Sequence, residues 1–269
     1  MKQVTRRGSQ LPILNYHGIE SKAEEYLWVE GEKPYVVTLD HFWEQLDHLV
    51  KNEFSSLTLG RLDRWFDGRS NGHSIIITFD DGHLSHFEHA VPSLKKAGLK
   101  GLFFIPVGLV GHREQMTWSH LKQLLIEGFE VGSHGYRHIP LTNLKRPELL
   151  EELERSKKTL EDRLGVAVTS FSIPRGFYRP RIGQTASEVG YRFVFTSQFD
   201  LNVRSGDPMC LSRLVVKSNL SLRQFSRMIR GELGFKKRLE GCKDVARRLL
   251  SPSVYDALVN FKRAVRTES

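Results

Sequence analysis

Short apolar runs alternate with amphipathic stretches along most of the chain, and this rhythm predicts alternating strands and helices. Residues 11–16 form an apolar run that ends in Tyr16-His17-Gly18, which reads as a strand followed by a turn. Residues 20–37 mix charge and aromatics without a period and read as a loop. Thr38 is placed to cap a helix with Phe42, Leu46 and Leu49 on one face. The run Ser74 to Phe79 reads as the central buried strand. A helix over 86–98 stops at Gly98, followed by a strand over 101–107 and a helix over 117–128. A strand over 129–132, a long charged helix over 146–165 and a strand over 169–173 come next. The remainder reads as a helix over 180–190, strands over 191–196 and 211–216, and a helix over 221–231. About seven alternations argue for parallel βα units, enough to close a barrel. The predicted class is α/β, a distorted (β/α)7–8 barrel with a C-terminal helical extension.

Chemistry in such barrels sits at the C-terminal ends of strands. His17, the pair Asp80-Asp81, His134 and Arg175 each fall just after a predicted strand. Adjacent residues of a strand face opposite ways. A turn after the strand would let Asp80 and Asp81 reach one pocket by different routes, one to bind a metal and one to take a proton. The plainer alternative is turn chemistry with a helix cap. His134 and His138 are four apart, so one helical turn would put both imidazoles on one face. Gly135 and Pro140 exclude a long helix there. Two histidines, a carboxylate and an open position make the pattern of a catalytic zinc site. His83, His86 and His89 are spaced for a solvated helix surface, and His41, His48, His73, His112 and His120 have no companion pattern.

The 269 residues suffice for one large domain with a sizeable core. A net charge of +9 suggests an anionic partner or surface. That charge is spread out and no binding motif accompanies it, so nucleic acid is not expected as a partner. Cys210 and Cys242 form no metal-type pair and no disulfide framework, which favours a reducing compartment. The basic start is followed only by the short run LPIL, too brief for a signal peptide, and no segment is long enough to span a bilayer. The expected location is cytoplasmic.

TFDDG at 78–82 and SHGYRHIPL at 133–141 together resemble the polysaccharide deacetylases, carbohydrate esterase family 4 or the NodB homology group. LPILNYHGI at 11–19 and VTLDHFWEQLDHL at 37–49 extend the likeness to roughly residues 10–230. The resemblance implies that Asp81, His134 and His138 ligate a divalent ion, usually zinc. It makes Asp80 the general base, and the backbone N–H of Arg175 in FSIPRGFY a donor to the oxyanion. Many members take their general acid from a histidine late in the domain, but this chain has none after His138. His17 matches the acid of the subgroup that opens with a Tyr-His motif. Ser172 stands where many members carry an arginine that pairs with the base, and Arg175 stands where an aromatic is usual. Arg175 could contact substrate instead. Arg213 is a candidate to orient Asp80, or else a rim residue. No match is found to the Asp/Trp motif of the acetyl pocket.

The resemblance assigns residues 1–231 to the deacetylase domain and leaves 232–269 as a basic extension with nine Lys/Arg against five Asp/Glu. Val254, Leu258, Phe261 and Val265 follow helical spacing there. The helix could rest on an anionic membrane surface at the inner face, or simply pack on the barrel. The implied function is metal-dependent removal of N-acetyl groups from N-acetylhexosamine glycans in bacterial surface polysaccharide assembly. The substrate is an acetylated glycan, with a lipid-linked form as one option. An O-acetyl or formyl deacylase, or an inactive carbohydrate-binding protein of the same fold, are the alternatives.

Overall fold

The computed structural model describes residues 10–21, 26–28, 31–69, 73–234 and 254. Its main sheet contains β1 (Ile13–Tyr16), β2 (Phe54–Ser56), β3 (His73–Phe79) and β4 (Leu102–Ile105). It continues with β5 (Glu130–Ser133), β6 (Ser170–Ser172), β7 (Phe193–Phe195) and β8 (Leu214–Val215). The order is β7-β6-β5-β4-β3-β1-β8, every neighbour parallel, with β2 joined alongside β3. The sheet curls until its edges share one segment. Leu211 bridges Phe195 of β7, and Leu214 of the same segment pairs Leu14 of β1. The expected distorted (β/α) barrel is therefore the observed architecture.

Around the sheet lie α1 (Leu39–Lys51), α2 (Leu59–Phe66), α3 (Val91–Ala97) and α4 (Trp118–Ile126), then α5 (Arg146–Leu164), α6 (Pro180–Glu188) and α7 (Leu222–Ile229). Thr38 caps α1 through its side chain, and Phe42, Leu46 and Leu49 are buried as the periodicity predicts. The strands sort their side chains by the period of two. Ile75, Ile77 and Phe79 of β3 face outward into the layer shared with α1 and α3, while Ile76 joins an inner cluster. That inner cluster contains Ile13, Leu102, Phe104, Phe193, Phe195 and Leu211. One level toward the strand C-termini, the inward positions of β3 and β1 turn polar, as Thr78 and Asn15. Gly132 on β5 is required by the packing: a Cβ there would lie 2.5 Å from both the Phe104 ring and Ser170 Oγ.

Several features differ from the sequence expectation. Residues 18–20 form a strand paired with 36–38, and residues 33–35 form a 3-10 turn, within the stretch expected to be a loop. β2 and α2 have no counterpart in the sequence reading. α2 closes the N-terminal end of the barrel: Leu59, Leu62 and Trp65 enter the inner cluster. Glu130, the first residue of β5, accepts from Leu59 N at 3.0 Å, and Arg192 ahead of β7 pairs with Asp63. The helix expected over 86–98 begins with a π-turn over His86–Ala90. The C-terminal extension lies outside the described residues except for 232–234 and Val254, which is exposed. Among the described residues, no helix is long and apolar enough to cross a membrane.

Trp65→Ala removes the largest side chain of this floor and should cost about 3–5 kcal/mol in urea unfolding. A loss below about 1 kcal/mol would show that α2 does not seal the barrel.

Candidate metal centre and active site

β3 delivers both carboxylates, and the backbone then separates them. Asp80 N still bonds Tyr16 O at 3.0 Å, which continues the strand pairing. Asp81 adopts φ +74°, a left-handed conformation that turns the chain out of the sheet. The following helical turn starts from Ser85, without a side-chain cap. Asp80 and Asp81 instead meet partners on other strand ends.

Asp80 is buried and faces Arg213, which is fully buried. Arg213 Nη1 and Nη2 donate to the two oxygens of Asp80, each at 2.8 Å. The remaining donors reach Thr196 O at 2.9 Å, Ser172 Oγ at 2.9 Å and Thr78 Oγ1 at 3.3 Å. All five N–H groups of the guanidinium thus have acceptors. Asn15 Nδ2 donates to Asp80 Oδ2 at 3.1 Å. Burial by itself would push the Asp80 carboxyl up. The Arg213 charge outweighs it, with help from His134, the Arg213 hydrogen bonds and His17, and brings the pKa down to about 2. Of the two readings of Arg213, base partner or rim residue, its burial excludes the rim. Ser172 accepts from the arginine that arrives on another strand.

Asp81 Oδ1 lies 3.2 Å from His134 Nε2 and 3.0 Å from His138 Nε2. One ligand atom from each residue falls within 4.8 Å of the others. His134 Nδ1 donates to Ser172 O at 2.8 Å. A carbonyl can only accept, so Nδ1 carries a proton, and Nε2 is the nitrogen that faces Asp81. Two imidazole nitrogens around one carboxylate are a fitting donor set for a divalent ion. Burial opposes ionisation of Asp81, yet hydrogen bonds from His134 and His138 hold its carboxyl well below the usual range. The expected helical turn is absent. Residues 134–140 form an irregular loop with Gly135 at φ +79° and His138 at φ +56°. The i, i+4 pair converges through this loop, not through helical geometry.

His17 follows β1 on the inward face that also carries Asn15. Its Nδ1 is buried without a hydrogen-bond partner among the described residues. Burial lowers its pKa, partly offset by the Asp81 and Asp80 charges. Tyr35 lies beside its ring at 5.2 Å. His86 Nε2 donates to His17 O and holds the strand end from behind. His83, His86 and His89 are buried, contrary to the solvated surface expected of them. Trp28 stacks on His83 at 4.2 Å and Tyr26 meets both His83 and His89, so the 26–28 segment covers them. Burial pushes His83 down to about 4 and His86 down to about 3. Arg175 is exposed after β6 at φ +61°, in a turn over Pro174–Gly176. Its side chain contributes to the electrostatics at His138. Sequence reading did not single out Asn15, although it shares a strand face with His17 two residues on.

A polar rim at strand ends, with one ionised carboxylate locked to arginine and another among two imidazoles, defines a hydrolase-type site. A family model for polysaccharide deacetylase matches residues 67–194. YxkH of Bacillus subtilis, assigned by name to the polysaccharide deacetylases, is 26% identical over 219 residues, covering 81% of this chain and 75% of that protein. A peptidoglycan-N-acetylglucosamine deacetylase of Bacillus cereus is 30% identical over 129 residues, covering 48% of this chain and 58% of that one. The fold is shared with deacetylase PplD of Streptococcus pyogenes, solved with acetate: TM-score 0.74, 22% identity, 82% of this chain and 98% of that one. Residues 67–194 are thus similar to the polysaccharide deacetylases, and the likeness to YxkH extends over most of the chain.

The depressed pKa of Asp80 fixes a pH signature. Its contribution to stability is present above the unfolded value near 4 and is lost as pH falls through about 2. In metal-free protein, wild type should lose about 1.5–2 kcal/mol more than Asp80→Asn between pH 4 and pH 2, read by urea unfolding. Parallel pH profiles would contradict the locked ion pair.

Proposed function

We propose that the protein is a metal-dependent hydrolase that removes N-acetyl groups from N-acetylhexosamine-containing glycans of bacterial surface polysaccharides. The observation that carries this reading is the division between the two aspartates. Asp81 sits among imidazole donors, and Asp80 is held apart, ionised and gripped at both oxygens. Asp81, His134 and His138 would hold the ion, with zinc favoured by two nitrogen donors and a carboxylate. Such an ion supplies Lewis acidity, a polarised acyl carbonyl and a more acidic water.

The remaining work falls to the chain. Asp80 is a weak base, but it is unprotonated across the working pH range and stands ready to accept a proton from water as it attacks. Arg213 and Asn15 fix the direction in which its lone pairs point. The Arg175 backbone N–H is assigned to the oxyanion, since the left-handed turn at Arg175 carries it away from the strand ladder. His17 is assigned as the acid that protonates the leaving amine. Support comes from its strand-end position, its unpaired Nδ1 and the lack of any histidine after His138 in the sequence.

The name of the Bacillus cereus relative supports an N-acetyl glycan as the substrate class. The basic character of 232–269 supports a peripheral site at the inner membrane face, with a lipid-linked glycan as substrate, and residues 1–231 as the catalytic domain.

Chelated protein should release no acetate from N-acetylglucosamine oligomers, and added zinc should restore release. Asp80→Asn should lower the restored rate by about 100-fold to 10,000-fold, and His17→Ala should lower it within the same range. Stoichiometric zinc without release from N-acetyl, O-acetyl or N-formyl sugars would overturn the assignment and leave a binding protein.

A further inference from the structure

Residues 134–138 carry two of the candidate ligands but have no helix or sheet to satisfy their backbone, so each buried polar group needs another partner. His134 N donates to Ile105 O at 2.9 Å, which anchors the start of the loop to β4. The carbonyls of Gly135 and Tyr136 accept from Val107 N at 3.0 Å and Gly108 N at 2.8 Å. The amides of Tyr136 and Arg137 both donate to one oxygen, Glu152 Oε1, each at 2.7 Å. The other oxygen, Oε2, accepts from Arg137 Nε at 2.7 Å.

Glu152 is 3% exposed and projects from the inner face of α5, beside Leu149, Leu153 and Ser156. Its carboxylate therefore occupies a backbone nest between the two histidines. Gly135 makes the approach feasible: a Cβ there would stand 3.2 Å from Glu152 Oε1. Arg155, one turn further along α5, lies over the Tyr136 ring at 3.8 Å and donates to its hydroxyl at 3.0 Å. Helix α5 thus grips the loop midway between its two imidazoles, while the segment after β4 holds the opposite side.

From this juxtaposition we propose that Glu152 is a positioning residue for the metal centre: it folds the 134–138 loop so that His134 and His138 meet Asp81, and so sets metal affinity. The inference rests on the metal-site reading above. Without Glu152, the Tyr136 and Arg137 amides lose their acceptor and the loop can relax toward water. The two imidazoles would then have to be gathered on each binding event, which weakens affinity without touching any ligand. A purely structural carboxylate would affect folding stability and leave the affinity of the folded protein unchanged.

The test is zinc affinity by competition with a chromophoric chelator, with the visible spectrum of the cobalt-substituted protein as a second reading of ligand geometry. Wild type, Glu152→Ala, Glu152→Gln and Arg137→Ala are compared, with Asp81→Asn as the control that removes a ligand. Circular dichroism and thermal melting establish which variants are folded. Glu152→Ala should weaken zinc binding by about 10-fold to 100-fold and alter the cobalt spectrum. Glu152→Gln keeps one acceptor oxygen but sets an NH2 group against Arg137, and should weaken binding by about 3-fold to 10-fold. Arg137→Ala leaves the carboxylate on both amides and should stay within about threefold. Where Glu152→Ala does not fold, Glu152→Gln carries the test alone. Folded Glu152 variants with wild-type zinc affinity and cobalt spectrum overturn the inference while leaving the metal site standing. Wild type that binds no zinc overturns the metal site itself.

Discussion

The barrel depends on one buried charge. Arg213 stands inside it with no exposure, above a layer of aliphatic and aromatic side chains, its guanidinium 5.7 Å from the Phe104 ring. An unpaired charge there would cost several kcal/mol in lost hydration. The upper barrel is built around removing that cost. Three separate segments supply acceptors: Thr78 and Asp80 from β3 and its end, Ser172 from β6 and Thr196 after β7. Below this polar layer the interior is apolar and closed by α2. The polar groups therefore face only one opening, at the strand C-termini. A buried pair of this kind adds little to net stability compared with hydrophobic packing. Its value lies in keeping a buried carboxylate ionised and oriented, against the rise in pKa that burial alone would cause.

The same strand end separates two side chains that are neighbours in sequence. Asp80 remains in the ladder and is committed to Arg213. Asp81 takes a left-handed backbone conformation and joins the imidazoles. Had both stayed extended, pleating would have sent one of them outward into the apolar layer around Phe79. The backbone turn lets one site hold two carboxylates in unlike surroundings. Ser172 links the halves: its hydroxyl accepts from Arg213, and its carbonyl fixes the tautomer of His134. The geometry around Asp80 and the geometry around His134 are thus tied through one strand end.

What the sequence made legible was local. The run of isoleucines before Asp80, the Phe42-Leu46-Leu49 stripe and Gly98 at the end of α3 each carry their own signal. The partners of Asp80 were less legible, because Arg213 lies 133 residues away and several basic residues could have competed for the role. His83, His86 and His89 read as a wet helix face, since nothing local reveals that Tyr26 and Trp28 fold across them. α2 escaped notice because its three buried residues are interleaved with charged ones. The spacing of His134 and His138 suggested that their imidazoles converge, as they do, but through a helical turn that the loop does not form. A loop braced from α5 brings them together, and no rule of periodicity encodes that brace. The candidate site was therefore readable as a set of residues at strand ends, while its supporting contacts belong to the fold.

The most direct test of the division between the two aspartates is X-ray absorption at the zinc edge, on wild type, Asp80→Asn and Asp81→Asn loaded with one equivalent of metal. The account predicts two imidazole nitrogens with oxygen donors in wild type and the same shell in Asp80→Asn. It predicts a shell that is lost or rebuilt in Asp81→Asn. A shell that collapses in Asp80→Asn and survives in Asp81→Asn would reverse the roles and contradict the account.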